Sequence, residues 1–351
     1  MAGASGFAGA LAAQIVWNHP RLELVEVSSR SEAGTRLDSL YPRYRVPLEL
    51  RELDLQAIEE VDAAIVAYPH GASAPVVAEA RGLGLQVVDL SADFRLRDVP
   101  TYEKWYGPHS EPDLLVGAAY GLPELNRERI RGADLVANPG CYPTAALLAL
   151  GPLAEQGLIA DVVIDAKQGI SGAGRGGGDD EMHFVNLSEN AMAYKVDAHR
   201  HSPEIEQELA ELMPAASSQG ASATGDPGSA RVRPGAAGSL PFPVTFVPHL
   251  LPLDQGELAS CYVTTEREIG EDELLSLYRE RWQDEPFVKL VDRPPGVRDV
   301  RDSNDCHLFV TRNGPKVVAL AAIDNLWKGA AGQAVQNLNL MLDLPETEGL
   351  R

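Results

Sequence analysis

Gly3-Ala4-Ser5-Gly6-Phe7-Ala8-Gly9, running straight into Ala10-Leu11-Ala12-Ala13-Gln14-Ile15-Val16, reads as a glycine-rich turn that opens a helix. Glycines at this spacing let backbone come close to a pyrophosphate, which the free N–H groups of the helix N-terminus then bind. On spacing alone, a glycine loop without a phosphate role fits as well. The strand that usually precedes such a turn is missing, since only Met1-Ala2 stand before Gly3. The expectation is a natural start several residues upstream, with weakened dinucleotide affinity for this start; the alternative is a sheet that manages without its first strand.

Downstream segments repeat one plan. Leu22-Glu23-Leu24-Val25-Glu26-Val27-Ser28-Ser29-Arg30-Ser31 is an alternating strand ending in hydroxyls and a base. In a dinucleotide-binding sheet this strand end faces the adenosine ribose, where an acid selects the free 2′-hydroxyl and Arg accommodates a 2′-phosphate. Ser28-Ser29-Arg30 therefore points to NADP, against a merely solvated loop arginine. Val61 to Tyr68 reads as a buried parallel strand that breaks at Pro69-His70-Gly71, with a helix over Ser73 to Arg81. Leu85 to Leu90, followed by Ser91-Ala92-Asp93-Phe94-Arg95, repeats the pattern. Strands alternating with helices imply a Rossmann-type, doubly wound parallel sheet with a crevice at the strand ends. His70 lies at such an end, where a lone loop histidine is more often incidental. Arg95 is a fixed cation suited to an anionic substrate group.

Leu114 to Ala119 and Ala133 to Ala137 read as further short strands, the latter delivering Asn138-Pro139-Gly140-Cys141-Tyr142-Pro143. Pro139-Gly140 makes a turn, and Pro143 starts an apolar run of Ala and Leu, so the thiol sits at a helix N-terminus. There the helix dipole and unpaired N–H groups favour thiolate, lowering the thiol pKa and activating a nucleophile. An inert core cysteine is the competing reading; the turn-Cys-Pro-helix setting favours the nucleophile.

Composition bounds the answer. The 351 residues suffice for two domains with proper cores, and 44% hydrophobic content is ordinary for an enzyme. Cys141, Cys261 and Cys306 are the only cysteines, too few and too scattered for a disulfide framework or zinc site, which suggests a reducing compartment. No signal peptide or long apolar span is read, so a cytoplasmic protein with no membrane association is expected. The net charge of −21 argues against nucleic acid and disfavours an acidic protein partner.

In the second half, Asp161 to Ala166 reads as a strand followed by a glycine-rich loop, Gly169 to Gly178. That loop either approaches a cofactor or is plainly flexible. In Ala193 to Ile205, Ser202 could cap a helix whose first residue is Pro203, placing His201 and Glu204 at the same helix end. An imidazole near a reactive cysteine would be a general acid/base with a pKa suited to neutral pH. His199-x-His201 lacks further ligands at metal spacing, so no metal is expected. Pro214 to Pro241, rich in Ala, Ser, Gly and Pro, reads as a low-complexity insertion and mobile surface loop. Pro243 to Pro248, Leu258 to Thr265 and Val317 to Ile323 read as strands, and Glu271 to Trp282 as a helix. Cys261 and Cys306 fall to the core. Asp324 to Asn337 passes from a strand end into a long helix, with Lys328 and Gly329 able to meet a phosphate or carboxamide, or simply to connect.

Taken in order, Gly3 to Gly9, Ser91 to Arg95, the Cys141 segment from Val136 to Pro152, Ser171 to Arg175, His199 to Ile205 and Asp324 to Asn337 closely resemble the N-acetyl-gamma-glutamyl-phosphate reductase family (type 1) of arginine biosynthesis. The resemblance covers nearly the whole chain. It implies an NADP-binding Rossmann domain over 1–140, an α+β catalytic and subunit-contact domain with a mixed sheet over 141–323, and a last helix over 324–351 returning to the cofactor side. The insertion at 214–241 is longer than the family needs, and a short tail beyond Arg351 would be expected.

The chemistry implied is attack of the Cys141 thiolate on an acyl phosphate, a thioester, and hydride from NADPH. His201 would donate a proton to the resulting oxyanion, with His199 as the runner-up. Arg95 and Arg200 would hold phosphate or carboxylate, and Glu204 would orient a histidine or meet the acetamido group. Cofactor contacts are expected at Gly3, Ser5, Gly6, Phe7, Ala8, Ser28, Ser29, Arg30, Pro69, Ser91, Ser171, Gly172, Asn325 and Lys328. A homodimer or homotetramer is implied.

Rival readings stay open at this point. They are a carrier-protein-linked aminoadipyl or glutamyl phosphate reductase of lysine biosynthesis, an aspartate-semialdehyde dehydrogenase, a Cys-His hydrolase, and a non-catalytic NADP-binding regulator. The acidic charge fits an acidic carrier poorly. A hydrolase leaves Gly3 to Gly9 without purpose, and a regulator leaves the helix-terminal thiol unexplained.

Overall fold

The computed structural model describes residues 1–58, 61–175, 184–214 and 240–351. Gly176 to Gly178 and nearly all of the low-complexity insertion lie outside them. Two sheets organise the described chain. The first is parallel, with β1 (Ala63–Val66), β2 (Gln86–Asp89), β3 (Ala119–Tyr120) and β4 (Leu135–Ala137) in the order β1-β2-β4-β3. Its strands are short apolar runs buried on both faces, as helix-covered parallel strands must be. Val66, Val87, Val88 and Val136 are fully enclosed. The helix over Ala74–Gly82 follows β1, matching the expected boundaries within a residue.

The residues before the glycine loop join the sheet edge through single bridges. Ala2 bridges in parallel to Ser28 on one side and Val66 on the other. The Ala2 amide donates to the Ile65 carbonyl at 2.9 Å, the Ser28 amide donates to the Met1 carbonyl at 2.9 Å, and the terminal ammonium donates to the Glu26 carbonyl at 2.8 Å. The expected Leu22 to Ser31 strand forms only the bridges at Ser28. Residues 22–25 have no extended neighbour to pair with among the described residues, and a lone strand has little stability of its own. The Leu114 to Ala119 strand is also corrected: Pro112–Gly117 is a 3₁₀ turn, leaving only Ala119–Tyr120 in the sheet. Pro112 at its first position cannot donate to a ladder.

The second sheet is mixed. It comprises β5 (Ile159–Gly169), β6 (Met192–Ala193), β7 (Val244–Leu251), β8 (Glu257–Thr265), β9 (Val288–Leu290), β10 (Cys306–Asn313) and β11 (Lys316–Ile323), ordered β6-β7-β5-β8-β11-β10-β9. Alternation sends Val162, Ile164 and Ala166 of β5, Ala259, Cys261 and Val263 of β8, and Val317, Ala319 and Ala321 of β11 to one buried face. That face and the helix Cys141–Glu155 share one core. Within the helix every residue from Tyr142 to Ala154 is buried. Leu147, Leu148, Leu150 and Leu153 each contribute about 1.5–3 kcal/mol of burial free energy, so the segment bearing the thiol is anchored in the largest core of the molecule. After β11 the chain makes a widened turn, Trp327–Ala331, and enters the helix Gly332–Met341. Ala334, Val335 and Leu338 of that helix pack into the core of the first sheet.

Candidate active site

The ends of the parallel strands, the N-terminus of the Cys141 helix and the edge of the mixed sheet enclose a cleft of about 1210 Å³. Cys141 lies between its two ends. The first-sheet side is formed by Gly3, Ser5, Gly6, Phe7 and Ala8 with Ser29, Arg30, Pro69 and Ser91. Ser171, Gly172 and Asn325 close it, while Arg95, His199, Arg200 and His201 line the rest.

A dinucleotide fits the first-sheet side. The helix Phe7–Trp17 starts at Gly6 with no side-chain cap, so its first N–H groups are free for phosphate oxygens. Gly3 has φ +82, and a Cβ there would stand 2.6 Å from the Ala67 carbonyl oxygen, so only glycine keeps the loop this close to the sheet. Ser29 donates to the Ser5 hydroxyl at 2.7 Å, joining the glycine loop to the ribose-facing segment. The exposed Arg30 guanidinium lies over the Tyr68 ring at 4.5 Å, a cation held beside that segment. Arg30→Ala is expected to raise the KM for NADPH about tenfold, equal to about 1.4 kcal/mol, while leaving the KM for NADH unchanged; steady-state kinetics with both cofactors check this.

Two expected cofactor contacts lie elsewhere. Ser28 is buried, with its hydroxyl 3.4 Å from the Tyr68 hydroxyl, and does not line the cleft. Lys328 is fully buried on the other side of its turn, donating to Glu124 at 2.6 Å and to Gln336 at 2.8 Å. The widened turn rotates Lys328 inward and brings its neighbour Gly329 against the thiol instead. A Cβ on Gly329 would stand 2.7 Å from the Cys141 Cβ.

Around the thiol the geometry is tight. Cys141 is the first residue of its helix and donates through Sγ to Gln168 Oε1 at 3.4 Å. Gly140 packs on the His201 ring so closely that a Cβ would be 2.6 Å from Nε2. The loop is pinned from behind by Glu204, whose Oε1 accepts from the Gly140 amide at 2.8 Å and the Tyr120 hydroxyl at 2.9 Å. The other oxygen of Glu204 meets Arg95 at 3.4 Å. Arg95 in turn donates to the Asn138 carbonyl at 2.8 Å and the Leu90 carbonyl at 2.9 Å. Both are buried. Glu204 thus faces the Asn138–Gly140 turn rather than a ligand in the cleft, and each nitrogen of the Arg95 guanidinium is engaged within the protein, by the Asn138 carbonyl, Glu204 and the Leu90 carbonyl. Arg200 is the exposed cation at the mouth, 2.6 Å from His70 Nε2 and stacked over Tyr106.

The electrostatics correct two sequence expectations. The helix N-terminus was expected to lower the Cys141 pKa. Burial instead pushes the thiol well above its ordinary value, and the carboxyl of Glu257 adds to the rise; the Tyr142 amide and Arg95 act the other way without winning. The dipole effect is worth about 1 kcal/mol, whereas desolvating a thiolate costs more. The histidines were expected to titrate near neutrality. Burial, with Arg95 nearby, lowers His201 to about 3, so its imidazole is neutral at working pH. His199 is lowered by burial and by His201. The His199 ring serves its own turn: Nδ1 accepts from the His201 amide at 3.1 Å, and Nε2 lies 3.3 Å from the Tyr194 hydroxyl. His201 Nδ1 has no partner among the described residues.

Sequence reasoning missed Gln168, Glu257, Tyr142 and Tyr194. Gln168 and Glu257 were detectable as polar residues on the inward phase of β5 and β8, where every second residue is otherwise apolar. Among the described residues one group of acids, Glu124, Glu285 and Glu346, lies at metal-binding spacing. It is met by Lys328 and Arg127, with Arg127 2.5 Å from Glu285 and 2.7 Å from Glu346.

Comparison with known proteins follows the same division. Residues 1–133 match the family model "Semialdehyde dehydrogenase, NAD binding domain", and residues 141–221 and 233–325 match "Semialdehyde dehydrogenase, dimerisation domain". The chain is 44% identical to the N-acetyl-gamma-glutamyl-phosphate reductase of Desulforudis audaxviator, with 99% of this chain and 96% of that protein covered. It is 45% identical, at the same coverage, to the protein of that name in Moorella thermoacetica. Among solved structures it is similar to an aspartate semialdehyde dehydrogenase from Vibrio cholerae (TM-score 0.69, 18% identity, 97% of this chain and 96% of that one). It is likewise similar to the enzyme from Candida albicans with NADP (TM-score 0.66, 15% identity, 97% of each chain). At those identities the structural matches speak to the fold.

Proposed function

The chain belongs to the N-acetyl-gamma-glutamyl-phosphate reductase family of semialdehyde dehydrogenases, and from that premise we propose which of its residues carry the reaction. The reaction is the NADPH-dependent reduction of N-acetyl-L-glutamyl 5-phosphate to N-acetyl-L-glutamate 5-semialdehyde and phosphate, a step of arginine biosynthesis. The observation that carries the assignment is the Cys141 thiol at its helix N-terminus, in the cleft between Gln168, His201 and Gly329.

Cys141 is the nucleophile. Its sulfur loses the thiol proton, attacks the acyl carbon, and holds the acyl group as a thioester once phosphate has left. Gly3, Ser5, Gly6, Phe7, Ala8, Ser29 and Arg30 would hold NADPH, whose chemistry when bound is hydride donation. His201, neutral at working pH, steadies the oxyanion as an N–H hydrogen-bond donor and needs no titration to do so. The first amides of the Cys141 helix provide further donors. Arg200 at the mouth holds the substrate's carboxylate or phosphate, because it is an exposed guanidinium lining the cleft, set in place over the Tyr106 ring. Arg95 and Glu204 position the Asn138–Gly140 turn, and His199 positions His201.

The functional division is an NADP-binding domain over 1–140, a catalytic and subunit-contact domain over 141–323, and a C-terminal helical segment over 324–351 that returns to the first. A cytoplasmic homodimer or homotetramer completes the proposal. No helix among the described residues is long and apolar enough to cross a membrane.

The test is the reverse reaction. Phosphate-dependent reduction of NADP with N-acetyl-L-glutamate 5-semialdehyde is expected. Phosphate-independent ester hydrolysis, or a preference for a carrier-linked substrate, would sink the assignment.

A further inference from the structure

Glu257 is the first residue of β8, and its register is informative. It is paired with Gln168 of β5 on one side and with Ile323 of β11 on the other. Paired residues project to the same face of a sheet, so all three side chains point where the buried face meets the start of the Cys141 helix. Gln168 accepts the thiol hydrogen bond there, and the Ile323 side chain lies beside Gly329, the residue packed on the Cys141 Cβ.

Glu257 itself is fully buried, and neither of its carboxyl oxygens has a hydrogen-bond partner among the described residues. Among the described residues the Cys141 thiol is close enough for it and Glu257 to act on each other's ionisation. A buried carboxyl without a partner costs several kcal/mol if charged, and an apolar residue would fill the site more stably.

We propose that Glu257 and Cys141 form a proton-sharing pair, in which the Glu257 carboxylate takes the thiol proton as the sulfur attacks. This rests on Cys141 being the nucleophile. In the forward step, which runs through the fraction of enzyme with Glu257 ionised, the S–H bond breaks and its proton passes to the carboxylate. The S–C bond forms, and phosphate departs with the electron pair of the C–O bond. After reduction the thiohemiacetal oxyanion collapses, the C–S bond breaks, and the thiolate takes its proton back from Glu257. The carboxyl is neutral while the thioester exists, so no negative charge faces the intermediate from beneath.

The pair is insulated. The titratable groups facing it are His201 beside Gly140, Tyr142 from the Cys141 helix, Tyr194 from the segment after β6 and Cys306 from β10, all of them neutral near pH 7. Arg95 acts on the thiol, and no cation acts on the carboxyl. Burial raises Glu257 to about 8.

Iodoacetamide alkylation of Cys141 across pH, read by peptide mass, tests the pair on wild type, Glu257→Gln and Glu257→Asp, with Cys141→Ser as the labelling control. In wild type the rate is expected to rise, level off above about 8 as the two groups come to share one charge, and rise again at higher pH. Glu257→Gln should show a single rise and a kcat lower by about 10²-fold, with Glu257→Asp restoring part of both. A single-step wild-type profile, or profiles that superimpose, would overturn the pair, and the wild-type arm decides even if the variants fail to fold. Reductase activity surviving in Cys141→Ser would overturn the nucleophile itself, a separate outcome.

Discussion

Cys141→Ala is expected to lower kcat/KM for the acyl phosphate by about 10⁴-fold or more, because no other group in the cleft can form the thioester. The comparison is clean in structural terms. Cys141 is the first residue of a helix whose burial begins at Tyr142, so removing the sulfur leaves the apolar anchoring from Ala145 to Ala154 untouched. The variant should therefore keep its thermal midpoint and its NADPH affinity. Cys261 and Cys306 are fully buried in the mixed-sheet core and cannot substitute. Rapid-quench detection of an acyl-enzyme, present in wild type and absent in the variant, checks the same point without turnover. Activity within tenfold of wild type would end the covalent assignment.

Glu204→Ala is expected to damage both folding and catalysis. The carboxylate satisfies the Gly140 amide, the Tyr120 hydroxyl and the Arg95 guanidinium in one buried place. Removing one partner of a buried ion pair costs about 3–5 kcal/mol, because the remaining charge and donors stay buried without compensation. The Asn138–Gly140 turn would also lose the anchor that sets the thiol against Gln168. Denaturant unfolding should show the stability loss, and kcat should fall more than KM rises, since misplacing the nucleophile by an ångström is felt in the chemical step. Glu204→Gln keeps the shape and an acceptor for Gly140, so it should recover part of the stability. A variant as stable as wild type would show that the clamp is not needed.

Much of the fold was legible because its signals are local. Buried runs such as Val61 to Tyr68, the Pro139-Gly140 turn before an Ala/Leu-rich helix, and the alternation of β8 and β11 each declare their structure within a few residues. The failures share a different cause. Leu22 to Ser31 has the alternation of a strand, yet pairing depends on a neighbour that is nowhere in its own sequence. Lys328 reads as a cation at a helix start, and only the widened turn at Trp327–Ala331 reveals that it faces Glu124. Glu204 was assigned to histidine or substrate because its spacing from His201 is visible, while its contact with Gly140 lies 64 positions away. The titration errors have the same origin: a helix dipole can be read from sequence, but desolvation is a property of the assembled core.

A thiol held protonated by its surroundings has a bearing on how the resting enzyme survives oxidants. Peroxide attacks the thiolate, not the thiol. With Cys141 raised well above its ordinary pKa and Glu257 protonated up to about 8, the empty cleft presents almost no oxidisable anion. Below about pH 8 the sulfur is exposed as an anion chiefly during turnover, when the acyl group itself covers it. Catalytic reactivity and chemical durability are in this way separated in time.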